Sequence, residues 1–253
     1  MTKAIILCGG YGTRITEETN KIPKPMIRLG KAPILIHILA IYSNHGIKDF
    51  IICAGYKGSI ISDFFKKLEV KKNVIKINLS KLYLSNKKNH VEYWNINVVK
   101  TGLNTMTGGR VKRIKKYVEN DDFFHVTYGD GVADINIKDL EYFYKKQNTV
   151  CTLTAVKEPS RFGRLNLKNN KVKSFLEKPS EYINGGFFIF NKKIFNFLKS
   201  DETILEKEPL DKISKINQLS AYKHNSFWHP MDTLREKILL EKLCKNKTPI
   251  WLK

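Results

Sequence analysis

The chain has 253 residues, 42% of them hydrophobic, which is enough to bury a substantial core in one α/β domain, and its formal net charge is +21. No apolar stretch approaches the roughly 20 residues of a membrane span and no leader pattern opens the chain, so a soluble, cytoplasmic protein is expected. The four cysteines (Cys8, Cys53, Cys151, Cys244) are too dispersed for C-x-x-C and the histidines form no H-x-x-x-H pair, which argues against zinc and for a reducing compartment.

An apolar run at 4–8 predicts the first strand and breaks at once into Gly9-Gly10-Tyr11-Gly12-Thr13-Arg14. A helical pattern follows over 34–44, then a strand over 50–54 and a helix over 60–68. Residues 70–90, rich in Lys, Asn and Ser with short aliphatic pairs, read as an insertion of irregular or weak strand structure. Further strands are predicted over 96–99, 123–128, 149–156 and 184–190, with helices over 110–118, 137–146, 192–198 and 233–244. Asn169-Asn170, between short apolar runs at 165–167 and 172–175, reads as a hairpin turn because Asn tolerates left-handed backbone. This rhythm predicts an α/β fold: a doubly wound, mostly parallel, Rossmann-like sheet with a small additional β region, in one domain over 1–253. Ligands of such sheets sit at the carboxyl ends of strands, the position of both the Gly9 loop and Tyr128-Gly129-Asp130-Gly131.

The charge is uneven. Between Lys66 and Lys116 stand fourteen Lys or Arg against Glu69 and Glu92, an excess of 12. A solvated, Lys-rich surface accounts for it more readily than a field over an anionic substrate. No RNA-binding signature accompanies it, and no nucleic-acid or membrane partner is expected.

The opening loop suits a polyphosphate. Its glycines let backbone N–H groups approach an anion, and Arg14 and Lys24, within Pro23-Lys24-Pro25-Met26, add a planar fork and a point charge. A Walker loop and the G-x-G-x-x-G fingerprint are excluded by spacing, since Ile15 stands where a third glycine is needed. Asp130, flanked by glycines after an apolar strand, has the chemistry of a Mg²⁺ ligand or of a turn residue. Asp232 is either its partner or the N-cap of the next helix. Glu177-Lys178-Pro179 pairs a sugar-hydroxyl acceptor with a phosphate-gripping ammonium, or is an exposed ion pair. Asn184-Gly185-Gly186 offers an amide and close approach, or a bulge.

In order, G-G-x-G-T-R, P-K-P-M, M-T-G-G-R (106–110), Y-G-D-G, R-F-G, E-K-P, N-G-G-F-F and F-W-H-P-M-D-T-L-R (227–235) resemble the sugar-1-phosphate nucleotidylyltransferases nearly end to end, most closely their cytidylyl branch. The resemblance implies that CTP and glucose 1-phosphate are the substrates, Mg²⁺ the cofactor, and CDP-glucose a product feeding polysaccharide synthesis. By position it implies that Gly10, Gly12, Thr13 and Arg14 hold the triphosphate, that Lys24 neutralises charge during transfer, and that Asp130 and Asp232 hold the metal. It further implies that Thr107, Gly108 and Arg110 lie near the base, that Gly163, Glu177, Lys178 and Asn184 contact the sugar phosphate, and that Lys178 is also catalytic. It also implies a homo-oligomer, for which the 70–90 insertion is a candidate contact. Departures from the pattern include Ile22 where a basic residue often stands, Arg164 in place of a small residue, and His229 in place of Gln.

Overall fold

The run Ala4-Ile5-Ile6-Leu7 has no polar face, and the strand it belongs to, Lys3–Cys8, is buried in the middle of a nine-stranded sheet. The computed structural model describes residues 2–159, 163–177, 180–245 and 247–253. From edge to edge the strands run Leu219–His224, Cys151–Pro159, Ser180–Asn191, Phe123–Tyr128, Lys3–Cys8, Asp49–Ala54, Val91–Lys100, Val74–Asn78 and Glu69–Lys71. The sheet is mixed: its centre, from Phe123–Tyr128 to Val91–Lys100, is parallel, and Ser180–Asn191 lies antiparallel between its two neighbours.

Because side chains alternate across a strand, Lys3–Cys8 feeds two cores. Ala4, Ile6 and Cys8 pack on the side of the helix Ile34–Asn44, which is buried from Ile34 to Ser43, whereas Ile5 and Leu7 pack on the other side with Val111, Ile114 and Phe188. That division is the doubly wound arrangement expected from the strand–helix rhythm.

The insertion is more regular than expected. Val74–Asn78 pairs antiparallel with Val91–Lys100, and Ile75, Ile77, Leu79 and Leu84 turn inward around the fully buried Trp94. A two-residue alternation this short, set among lysines, carries little signal until a partner strand supplies the other half of the ladder. Lys71 and Lys76 lie on the outermost two strands, where charge discourages edge-to-edge pairing, so part of the basic excess has a structural use.

Helix boundaries moved where packing intervened. The helix expected over 110–118 begins earlier, as Thr107–Arg113, and is interrupted at Ile114 before Lys115–Val118. The last long helix is Leu234–Cys244, with Thr233 as N-cap in a reciprocal capping box with Glu236. The Asn169-Asn170 turn forms as expected, both residues at positive φ, between the exposed strands Arg164–Lys168 and Lys171–Leu176. Among the described residues no helix is long and apolar enough to cross a membrane.

Trp94 packs edge-on against Phe50 with ring centroids 5.7 Å apart, and its indole N–H donates to Ser43 Oγ at 2.8 Å. Trp94→Ala is expected to cost about 3–5 kcal/mol, measured by urea unfolding, because it empties the joint between insertion and sheet.

Candidate active site

Three adjoining cavities of about 200, 420 and 490 Å³ open where Lys3–Cys8 and Phe123–Tyr128 end, and Asp130 lines all three. The smallest is walled by Gly10, Gly12, Thr13, Arg14 and Lys24. Asn184, Gly186, Trp228 and Asp232 line the second, and Tyr11, Asn104, Thr107 and Arg110 the third.

Asp130 reaches this junction because Gly129 lets the strand end settle against its neighbours. A Cβ there would stand 2.8 Å from Cys8 Sγ and 2.9 Å from Pro25, while the Gly129 N–H donates to the Leu7 carbonyl at 3.1 Å. Gly131–Ala133 then pairs antiparallel with Trp228–Pro230, and the Met231 N–H donates to the Asp130 carbonyl at 2.8 Å. This short ribbon carries Asp232 to Asp130. Thr233, not Asp232, caps the following helix, and Glu236 accepts from the Asp232 and Thr233 N–H groups at 2.7 and 2.8 Å. The Asp232 carboxylate is thereby turned into the site.

Lys24 stands between the two carboxylates. Pro23 enters extended, Pro25 favours the single tight turn Lys24–Met26, and the ammonium donates to Asp130 at 2.7 Å and to Asp232 at 2.5 Å. Burial pulls its pKa down, but Asp130 and Asp232 outweigh burial and leave it above the ordinary lysine value. Arg14, largely exposed, donates to the other Asp232 oxygen at 2.5 Å. Two carboxylates already gathered around one cation, beside a phosphate-sized cavity, fit Mg²⁺, which takes one or two carboxylates together with substrate oxygens. Among the described residues no group of three or more His, Cys, Asp or Glu forms an all-protein cage.

The glycines of the opening loop serve different ends. A Cβ on Gly10 would meet nothing within 4 Å, so this residue faces open space for a ligand. Gly12 has φ +68° and a Cβ there would lie 2.6 Å from Thr19, whose hydroxyl donates to the Gly12 carbonyl at 3.0 Å. Gly9 is small for another reason: its Cβ would fall 2.0 Å from the Arg110 guanidinium.

Arg110 lies beneath the loop, donating to the Gly9 carbonyl at 3.0 Å, the Gly102 carbonyl at 2.8 Å and Thr101 Oγ1 at 2.7 Å. Burial lowers its pKa, and carbonyl dipoles take the place of a carboxylate partner. It braces the opening glycine loop to residues 101–103. The Thr107 hydroxyl donates to Glu206 and accepts from the Leu205 N–H, and Gly108 packs against Thr203, outside the cavity lining. Of these three expected nucleotide residues, Thr107 and Arg110 line the third cavity with their polar groups already committed, and Gly108 supports it from behind.

Of the residues expected to contact the sugar phosphate, Asn184 lines the second cavity, whereas Gly163 packs against Phe175 at the base of the hairpin and Glu177 follows it, neither lining the cavity. Lys178 lies outside the described residues. Arg164 pairs with Glu181, so it faces its own strand neighbourhood, and Ile22 packs against the core. Sequence reasoning missed Tyr128, common to the second and third cavities, and Trp228, whose indole N–H donates to the Gly185 carbonyl at 2.7 Å. Both stand inside quoted motifs, and an aromatic beside a metal-type Asp was the available signal.

This fold and site define a class: the chain belongs to the nucleotidyl transferase family, whose family model matches residues 3–233. Glucose-1-phosphate cytidylyltransferase of Salmonella typhimurium is 46% identical over 251 residues, covering 98% of each chain. Mannose-1-phosphate guanyltransferase of Aspergillus oryzae is 31% identical over 252 residues, covering 96% of this chain and 63% of the relative. In fold the chain is similar to HddC of Yersinia pseudotuberculosis, with TM-score 0.70 and 22% identity over 96% of this chain and 99% of that one.

The contrast between Gly9 and Gly10 is testable. Gly9→Ala is expected to cost about 1–3 kcal/mol in denaturant unfolding through overpacking against Arg110. Gly10→Ala is expected to leave stability within about 0.5 kcal/mol while weakening nucleotide binding measured calorimetrically.

Proposed function

We propose that this site transfers a cytidylyl group from CTP to α-D-glucose 1-phosphate, giving CDP-glucose and pyrophosphate. The observation that carries the reading is the meeting of three cavities at Asp130, with Lys24, Arg14 and Asp232 around the same point. Nucleotide base, phosphates and sugar each have a cavity, and the atoms that change bonds belong at the junction. The relative at 46% identity over nearly the whole chain supports this choice of base and sugar.

A sugar phosphate oxygen attacks the α-phosphorus in line. The new P–O bond forms as the bond from that phosphorus to the α,β-bridging oxygen breaks, and pyrophosphate leaves with the oxygen and its electron pair. The second pKa of a phosphate monoester is about 6, so the attacking group is already mostly dianionic at neutral pH and no general base is required. Gly10, Gly12 and Thr13 cradle the triphosphate, and Arg14 and Lys24 offset its charge. Asp130 and Asp232 would hold Mg²⁺, which would neutralise phosphate charge when bound. Thr107, Gly108 and Arg110 shape the base cavity, Asn184 meets the sugar, and Gly163, Glu177 and Lys178 complete the sugar-phosphate side on the strength of the motifs they occupy.

The reading extends to a single domain, a cytoplasmic enzyme whose four free cysteines are all buried, and a supply of CDP-glucose for polysaccharide synthesis. It also includes a homo-oligomer. The insertion buries Ile75, Ile77, Leu79 and Leu84 but leaves Val70 exposed, and the hairpin adds a second candidate surface for self-contact, where Leu165, Leu167, Val172 and Phe175 are all exposed.

Pyrophosphate release measured with CTP, UTP, dTTP, ATP and GTP against a panel of hexose 1-phosphates tests the reaction. Turnover confined to CTP with glucose 1-phosphate is expected, and a different productive pair would move the specificity. Asp130→Asn and Asp232→Asn are each expected to lower kcat by at least about 10²-fold with an unchanged circular dichroism spectrum. Normal turnover by either variant would overturn the metal assignment.

A further inference from the structure

Glu206 lies in none of the motifs that mark the site, and it lines neither the base cavity nor the sugar cavity. Its carboxylate nevertheless joins the two. One oxygen accepts from the Thr107 hydroxyl at 2.7 Å, and the other accepts from the Tyr128 hydroxyl. Tyr128 in turn accepts from Asn184 Nδ2 at 3.3 Å, and Asn184 Oδ1 accepts from the Gly186 N–H at 2.9 Å. A continuous relay, Thr107–Glu206–Tyr128–Asn184, thus runs from the wall of one cavity to the wall of the other.

Tyr128 is the partition. It and Asp130 are the two residues common to both linings among the described residues. Its ring is fixed on two sides: Phe188 packs edge-on at 5.8 Å between centroids, and Gly186 approaches so closely that a Cβ would lie 2.6 Å from the ring. The hydroxyl end is held by Glu206.

We propose that Glu206 is a positioning residue that sets Tyr128 as the shared wall of the two cavities and through it orients Asn184 toward the sugar phosphate. This rests on the proposed reaction. The carboxylate suits the role because it accepts from two hydroxyls at once, whereas a glutamine offers one acceptor oxygen and a competing N–H donor. Glu206→Gln therefore keeps the shape and loses one end of the relay.

The test is steady-state kinetics with the substrate pair that the wild-type protein turns over. Glu206→Gln is expected to raise KM for the sugar phosphate about fivefold at saturating nucleotide, the loss of one hydrogen bond of ordinary strength, with kcat within about twofold. Tyr128→Phe is expected to raise the same KM, and the double variant to be no worse than the poorer single one, because both changes cut one interaction. An unchanged sugar-phosphate KM in Glu206→Gln, an effect confined to the nucleotide KM, or multiplying effects in the double variant would overturn the proposal. Wild-type turnover of another substrate pair would sink the reaction assignment and leave this test standing. A wild-type protein inert with every pair would remove both.

Discussion

Two aspartates brought together from distant parts of a chain repel unless a cation lies between them, and the rest of this site depends on how Lys24 meets that condition. Its ammonium bridges Asp130 and Asp232 from a turn pinned by prolines on either side. Burial makes that contact stronger than an exposed pair, and loss of Lys24 would be the costly change, since the two carboxylates would then face each other without the ammonium between them. The arrangement also prepares the chemistry. On the proposed reading, two carboxylates already gathered around a cation beside the glycine loop suit a metal and a polyphosphate.

Glycine is used here as much to admit protein as to admit ligand. Gly9 makes room for Arg110, Gly129 for Cys8 and Pro25, and Gly109 for the backbone of Asp201, whereas Gly10 alone of the opening glycines looks onto empty space. A glycine-rich loop is read by default as an anion cradle, but part of this one is a seat for a buried guanidinium that ties it to residues 102–103. That brace holds the glycine loop from below, and preorganisation of this kind is the main resource of phosphoryl-transfer sites.

Much of the site was legible because its chemistry is local. Arg14, Lys24, Asp130 and Asp232 each sit in a short string whose residue types have few other uses in combination, and the structure brings all four to one point. What stayed illegible is non-local. Nothing in residues 106–110 says that the guanidinium of Arg110 turns under the Gly9 loop, or that Thr107 bonds Glu206, because those partners come from other parts of the chain. The same holds for the insertion, whose strand Val74–Asn78 exists by pairing with Val91–Lys100.

The sequence by itself determined the alternation of strands and helices, the phosphate-type loop, the capping region around Asp232 and the family to which these belong, since each is encoded by neighbouring residues acting through backbone preference and side-chain chemistry. Only the tertiary structure decided that Thr233 and not Asp232 caps the last long helix, that Arg110 is a brace, and that Tyr128 divides the two larger cavities. The physical reason is the same in each case. A side chain with several possible partners takes the one that packing brings within about 3 Å, and packing is set by the whole sheet rather than by the residues on either side.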